Sequence, residues 1–211
     1  MTAEDTLQIV RQRFGVNMEQ GGRLRAHRAS RKQLPALMAD LGFTKGAEIG
    51  VWRGAYSAQF CLANPALEML CVDPWASYQG WLDTKNAMEP EIASAFIAQA
   101  YRDACARLTG LNCTIRRQFS VEAAAEVADD SLQFVYIDAN HSYDAVLEDL
   151  AAWSPKVQPG GIIAGHDYRI FTNKPTIHVV EAVHTFTRAH EISPWFILAA
   201  DRTPSFLWVK P

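Results

Sequence analysis

Four apolar runs in this chain each carry polar residues at or near their carboxyl end and lead on to a helical pattern, an arrangement that restricts the fold more than any other feature. AEIG holds Glu48 and Gly50, LEMLCVDPW ends near Asp73, LQFVYID ends in Asp138, and IIAGHDY ends in His166, Asp167 and Tyr168. A fifth run, Leu111 to Arg116, precedes an Ala-rich helix with Ser120 as its cap. WFILAADRTPSFLWVK then reads as two strands joined by a turn around residues 202–204. The predicted fold is therefore α/β, a Rossmann-like doubly wound sheet, mostly parallel, with seven strands and a C-terminal antiparallel hairpin at its edge.

The first run carries the tightest local constraint. In AEIGVWRGAYSAQF, Gly50 and Gly54 sit where a strand turns sharply into a helix, so a ligand can lie against bare main-chain amides. Glu48 would repel a pyrophosphate, and the glycine spacing is not that of the dinucleotide fingerprint. In open α/β sheets the ligand binds beyond the carboxyl ends of the strands. Glu48, Asp73, Asp138, His166 and Asp167 all map there, which defines a site.

Of the 211 residues 49% are apolar and 20% charged, enough for one sizeable core without a linker-like division. The formal charge of −3 gives no drive towards nucleic acid or an anionic membrane, and the basic residues between Arg23 and Lys32 read as a solvated helix face. Residues 1–29 read as an N-terminal helical arm or lid, with too few apolar positions for a core strand, and residues 30–211 as the ligand-binding domain. Ser30 is the expected cap of a helix that buries Leu34, Leu37, Met38 and Leu41 and stops at Gly42. Pro159-Gly160-Gly161 is the expected turn into the fifth strand. Cys61, Cys71, Cys105 and Cys113 lack metal or disulfide spacing and are expected reduced and mostly buried. No run approaches a membrane span, so a cytoplasmic protein is expected, with self-association left open. Trp75, Tyr78 and Trp81, together with the connector around Lys174 and Pro175, are the expected covers of an acceptor pocket.

From about Ala29 onwards the order of motifs resembles the class I methyltransferases that use S-adenosylmethionine. EIGVWRGAYS is similar to their first motif, which implies that Glu48, Gly50, Gly54 and Ser57 hold the methionine part of the donor. Asp73 matches the acid that bonds the ribose hydroxyls, and Ser120 the adenine-edge position. DANHSYDAVLEDLAAWSPKVQPGGIIAGHDY resembles a bacterial group of small-molecule and sugar O-methyltransferases related to catechol-type, metal-dependent enzymes. That resemblance places Asp138 beside the donor and implies a metal set of Asp138, His166 and Asp167, with His141 as base. His141 stands where the catechol-type pattern has Lys, and His166 where it has a carboxylate.

The chemistry accounts for these residue types. Methyl transfer from a sulfonium is an in-line displacement, and the acceptor hydroxyl must lose its proton. His141 with Asp138 can serve as base, or a divalent cation (Mg, Mn or Zn) can lower the hydroxyl's pKa. The expected activity is O-methylation of a hydroxyl on a small molecule, a sugar or natural product. The alternatives are a metal-dependent hydroxylase-like or other non-methylating member of the same fold, and a binding protein that has lost the chemistry.

Overall fold

The computed structural model describes residues 1–17, 21–76, 90–172 and 176–211. Tyr78, Trp81, Lys174 and Pro175, expected as covers of the acceptor pocket, lie outside the described residues. The strands in chain order are β1 (Arg23–Ala26), β2 (Lys45–Ile49), β3 (Glu68–Val72), β4 (Cys113–Arg116), β5 (Leu132–Ile137), β6 (Val157–Gly165), β7 (Trp195–Leu198) and β8 (Ser205–Val209). The helices are α1 (Ala3–Phe14), α2 (Leu34–Asp40), α3 (Ala55–Ala63), α4 (Pro90–Leu108), α5 (Ser120–Ala125), α6 (Tyr143–Trp153) and α7 (Val179–Ala189).

All eight strands form one sheet in the order β1-β7-β8-β6-β5-β2-β3-β4. Every pair is parallel except those of β8, which runs antiparallel to both β6 and β7. From β2 the chain proceeds outward through β3 to β4, whereas β5 lies on the other side of β2 and leads to β6. The order therefore reverses at the β2–β5 pair, and a crevice opens beyond the carboxyl ends of these strands. Helices α1 to α4 supply one buried face, with Val10, Leu37, Phe60 and Ile97. Helices α5 to α7 supply the other, with Ala123, Val146, Trp153 and Val183. Among the described residues no helix is long and apolar enough to cross a membrane.

The sheet has one strand more than expected, and the closing hairpin is not at its edge. β1 adds in parallel to β7, with Leu24 and Ala26 buried and Arg23 and Arg25 exposed. An edge strand can do with two buried side chains, and charge on it guards against further pairing. The basic run is consequently not a helix face, because it is divided between β1 and a 3-10 turn at Arg31–Gln33. Ser30 caps that turn reciprocally with Gln33, and α2 follows and buries Leu34, Leu37 and Met38. The Pro159-Gly160-Gly161 segment also differs from expectation. It lies within β6, where pairing with β5 shifts register between Leu132 and Phe134, so the extra residues are absorbed as an irregularity of the strand. All four cysteines are free; Cys61 and Cys71 are buried, and Cys105 and Cys113 half-buried.

Candidate active site

The turn after β2 ties three strand ends together. Gly50 N–H donates to Val72 O of β3 at 2.8 Å, and Asp138 N–H donates to Ile49 O at 2.8 Å. Gly50 has φ +89°, and a Cβ there would stand 2.2 Å from the Asp138 carbonyl oxygen. Only a bare backbone satisfies both conditions. Gly54 has φ +70° and opens α3; a side chain there would press on Leu108 and Ala104 of α4.

Asp73, just past β3, is held by main-chain donors. Trp52 N–H donates to Oδ2 and Trp75 N–H to Oδ1, each at 2.8 Å. Burial pushes its pKa up, and these bonds oppose that rise. Trp52 and Trp75 both adopt left-handed backbone, φ 52° and 40°, and Trp75 Nε1 donates to Trp52 O at 2.7 Å. Two strained residues fastened to one carboxylate form a rigid wall. Trp75 is 2% exposed and packs its ring against Tyr101.

Across the crevice, the ends of β5 and β6 bring together Asp138, His141, His166 and Asp167. His141 Nε2 lies 3.4 Å from Asp138 Oδ1 and 3.0 Å from Asp167 Oδ2. Burial alone would lower the imidazole pKa, but the bonds and charges of Asp138 and Asp167 outweigh it and carry it up to about 9. For Asp167 burial acts upward, yet His141 holds its pKa below the ordinary carboxylate value. His166 Nδ1 is 3.7 Å from Asp138 Oδ2 and 3.5 Å from Asp167 Oδ1. Asp138, His141 and Asp167 each offer a ligand atom within 4.8 Å of the others, and this compact group contains His141 rather than His166. Asp167 has φ 52°, a conformation that Asp tolerates better than most residues and that re-aims the end of β6.

Arg31 is a site residue that the sequence reading missed. Its guanidinium lies 3.4 Å from Asp138 Oδ2 and 5.1 Å above the centre of the Tyr56 ring. The Tyr56 hydroxyl donates to Arg31 O at 2.7 Å, and Asp201 accepts from Arg31 N–H at 3.0 Å and from Ser30 Oγ at 2.7 Å. No local signal marks this contact, because its partners come from α3, β5 and the β7–β8 connection.

A cavity of about 1140 Å³ links the two clusters. Gly50, Trp52, Asp73, Trp75, Ser120, Asp138, His141, Asp149 and Asp167 line it, as do Phe171, Thr176 and Ile177 of the connector after β6. Glu48, Gly54, Ser57 and His166 are not among the lining residues. Glu48 is 3% exposed and accepts a short hydrogen bond from Ser57 Oγ, and burial pushes its carboxyl up to about 8. Ser120 does not cap α5 as expected: Phe119 is the cap residue, and Ser120 Oγ accepts from Trp153 Nε1 at 2.9 Å. Asp149, on α6, was not foreseen as part of the wall; burial pushes it up to about 7.

The reversal at β2–β5, the acids at the strand ends and the closing antiparallel strand together define a Rossmann-like fold of the class I methyltransferase type. A model of the methyltransferase-domain family matches residues 47–168, more than half of the chain, and the chain belongs to that family. Its fold is similar to that of a Staphylococcus aureus protein provisionally named a caffeoyl-CoA O-methyltransferase, with a TM-score of 0.61, 12% identity, and coverage of 99% of this chain and 93% of that one. It is also similar to TomG of Streptomyces achromogenes, an O-methyltransferase of tomaymycin synthesis solved with S-adenosylmethionine, with a TM-score of 0.59, 14% identity, and coverage of 99% and 90%. The O-methyltransferase NovP gives a TM-score of 0.58 and 17% identity, with 85% of this chain and 77% of that one covered. At these identities the likeness is one of fold. No curated protein sequence matches the chain.

Proposed function

We propose that this methyltransferase-family protein uses S-adenosylmethionine to methylate a hydroxyl of a small molecule, a sugar or natural product. The observation that carries this reading is one cavity joining Asp73, a carboxylate built into the main chain at one end, to His141 set between Asp138 and Asp167 at the other. Asp73 suits the ribose hydroxyls, since each of its oxygens keeps acceptor capacity beyond the amide it already binds. Gly50 lets the donor lie against the backbone, Ser120 faces the base, and Asp138 borders the sulfonium. Glu48, Ser57 and Gly54 act from behind the wall, where they set the turn and the start of α3.

In the displacement the acceptor oxygen forms a bond to the methyl carbon as the carbon–sulfonium bond breaks, and the hydroxyl proton must leave. His141 takes it in the fraction of molecules whose ring is neutral, a fraction that grows as the pH rises towards about 9, and Asp138 and Asp167 stabilise the resulting imidazolium. The same three residues fit a divalent cation, because two hard carboxylates and an imidazole offer ligand atoms close together. When bound, such a cation supplies Lewis-acid polarisation of the acceptor hydroxyl. His166 stands slightly farther from both carboxylates and is the substitute third ligand.

The test is methyl transfer from isotopically labelled S-adenosylmethionine to a panel of catechols, sugars and hydroxylated aromatics, with and without chelator. An O-methylated product that Asp138→Asn abolishes, while donor binding persists, is the expected result. Methylation at nitrogen or carbon only would overturn the O-methylation assignment.

A further inference from the structure

We infer that Cys61 and Cys113 form a site of reversible oxidation, where a hydroperoxide converts the two thiols into a disulfide that staples α3 to β4. The pair is apart from the crevice, since neither residue lines the cavity. Cys61 is in the last turn of α3, and Cys113 is the first residue of β4, an edge strand of the sheet. Their sulfurs stand 3.2 Å from each other although the residues are 52 positions apart in the chain. An S–S bond measures about 2.05 Å, so closing it needs only roughly 1 Å of approach.

Cys71 is the rival partner and is worse placed. Met69, not Cys71, stands opposite Cys113 in the β3–β4 register, and the Cys71 thiol donates to Ser57 Oγ at 3.3 Å. Cys61 is buried and Cys113 half-buried, so an oxidant reaches the pair through Cys113.

The Cys113 sulfur attacks a peroxide oxygen, the O–O bond breaks, and the thiol becomes a sulfenic acid as water leaves, or an alcohol where the oxidant is an alkyl hydroperoxide. The Cys61 sulfur then attacks the sulfenic sulfur, and the S–S bond forms as the hydroxyl departs with the Cys61 proton as water. Two thiols give up two electrons, and one hydroperoxide takes them. The contact with Cys61 acts downward on the Cys113 thiol, but Cys71 and burial outweigh it and push it up to about 12. Cys61 is raised as well, by Cys113 and by burial. Because the thiolate is the nucleophile, the first step is slow and the resting pair stays reduced. The second step is fast, because Cys61 is already in contact. The closed loop holds β3, Asp73 and α4, so the bond ties together the Asp73 half of the crevice and restricts the unfolded chain.

The test exposes the folded wild-type protein to hydrogen peroxide at about pH 8.5, where more thiolate is present, blocks residual thiols with iodoacetamide and maps the peptides by mass spectrometry. A Cys61–Cys113 cross-link that dithiothreitol reverses, with a melting temperature about 4 °C or more above that of the reduced protein, is the expected result. Cys71→Ser should form the same bond, whereas Cys61→Ser should carry Cys113 on to the sulfinic acid. Recovery of Cys61 and Cys113 as thiols from protein whose methionines have become sulfoxides would overturn the inference, as would a Cys71–Cys113 bond or a wild-type Cys113 found as sulfinic acid. The wild-type measurement needs no variant, so it decides the matter even where a substituted protein does not fold.

Discussion

His141 Nε2 stands 3.0 Å from Asp167 Oδ2, although the two residues follow different strands, β5 and β6. Parallel pairing of those strands, with Ile137 opposite Gly165, fixes the separation, because each strand end delivers its polar residues to the same level of the crevice. The pair is thus set by sheet register.

The first prediction concerns protonation. His141 has its pKa carried up to about 9, above the roughly 6.5 of an unfolded histidine. Its ion pairing therefore contributes stability that is complete below about pH 6.5 and fades as the pH rises through about 9. Ring-proton NMR titration of the wild type should show one histidine titrating near that upper value. In Asp167→Asn its midpoint should fall by about one unit or more, since one of two neighbouring charges is gone. An unchanged midpoint would separate His141 from Asp167 in solution.

Asp73→Ala should weaken S-adenosylhomocysteine binding by about 10- to 150-fold, the loss of charge-assisted bonds worth about 1.5 to 3 kcal/mol. The variant should also melt earlier, because Trp52 and Trp75 N–H lose their acceptor while keeping left-handed backbone. Undiminished affinity in the folded variant would remove Asp73 from the donor site.

Gly50→Ala tests the turn itself. The added Cβ meets the Asp138 carbonyl oxygen at 2.2 Å on a backbone of φ +89°, so Asp138 must shift or the turn must open. A melting temperature lower by about 5 °C or more is expected, together with impaired donor binding. Parent-like melting and binding would mean that the turn has more room than this geometry allows.

Much of this arrangement is legible in the sequence. Apolar runs that end on Asp73, Asp138 and His166-Asp167 reveal strand ends, because a parallel strand is buried on both faces and only its end can bear charge. β1 is less legible, since Arg-Leu-Arg-Ala has two apolar residues and becomes a strand only when β7 is there to pair with it. Ser120 followed by Val121, Glu122 and three alanines looks like a cap, yet its hydroxyl goes to Trp153 on another helix. Arg31 reads as one more surface cation, and only the folded chain places it beside Asp138. These three failures share one cause: the deciding partner is distant in sequence.

Arg31 also bears on the cation. Titration with Mn(II), followed by electron paramagnetic resonance, should show one site that Asp138→Asn removes. Arg31→Gln should bind Mn(II) about threefold or more tightly, because a positive charge beside Asp138 is gone. If Mn(II) binds neither the wild type nor Arg31→Gln, His141 acts as base without a cation.

The central claim, that the crevice beyond β2 and β5 is a methyl-donor site, is tested most directly by calorimetric titration of the wild-type protein with S-adenosylhomocysteine. One molecule bound per chain, with binding lost or strongly weakened in Asp73→Ala, is the predicted result. A folded wild-type protein that takes up neither S-adenosylhomocysteine nor S-adenosylmethionine would contradict it.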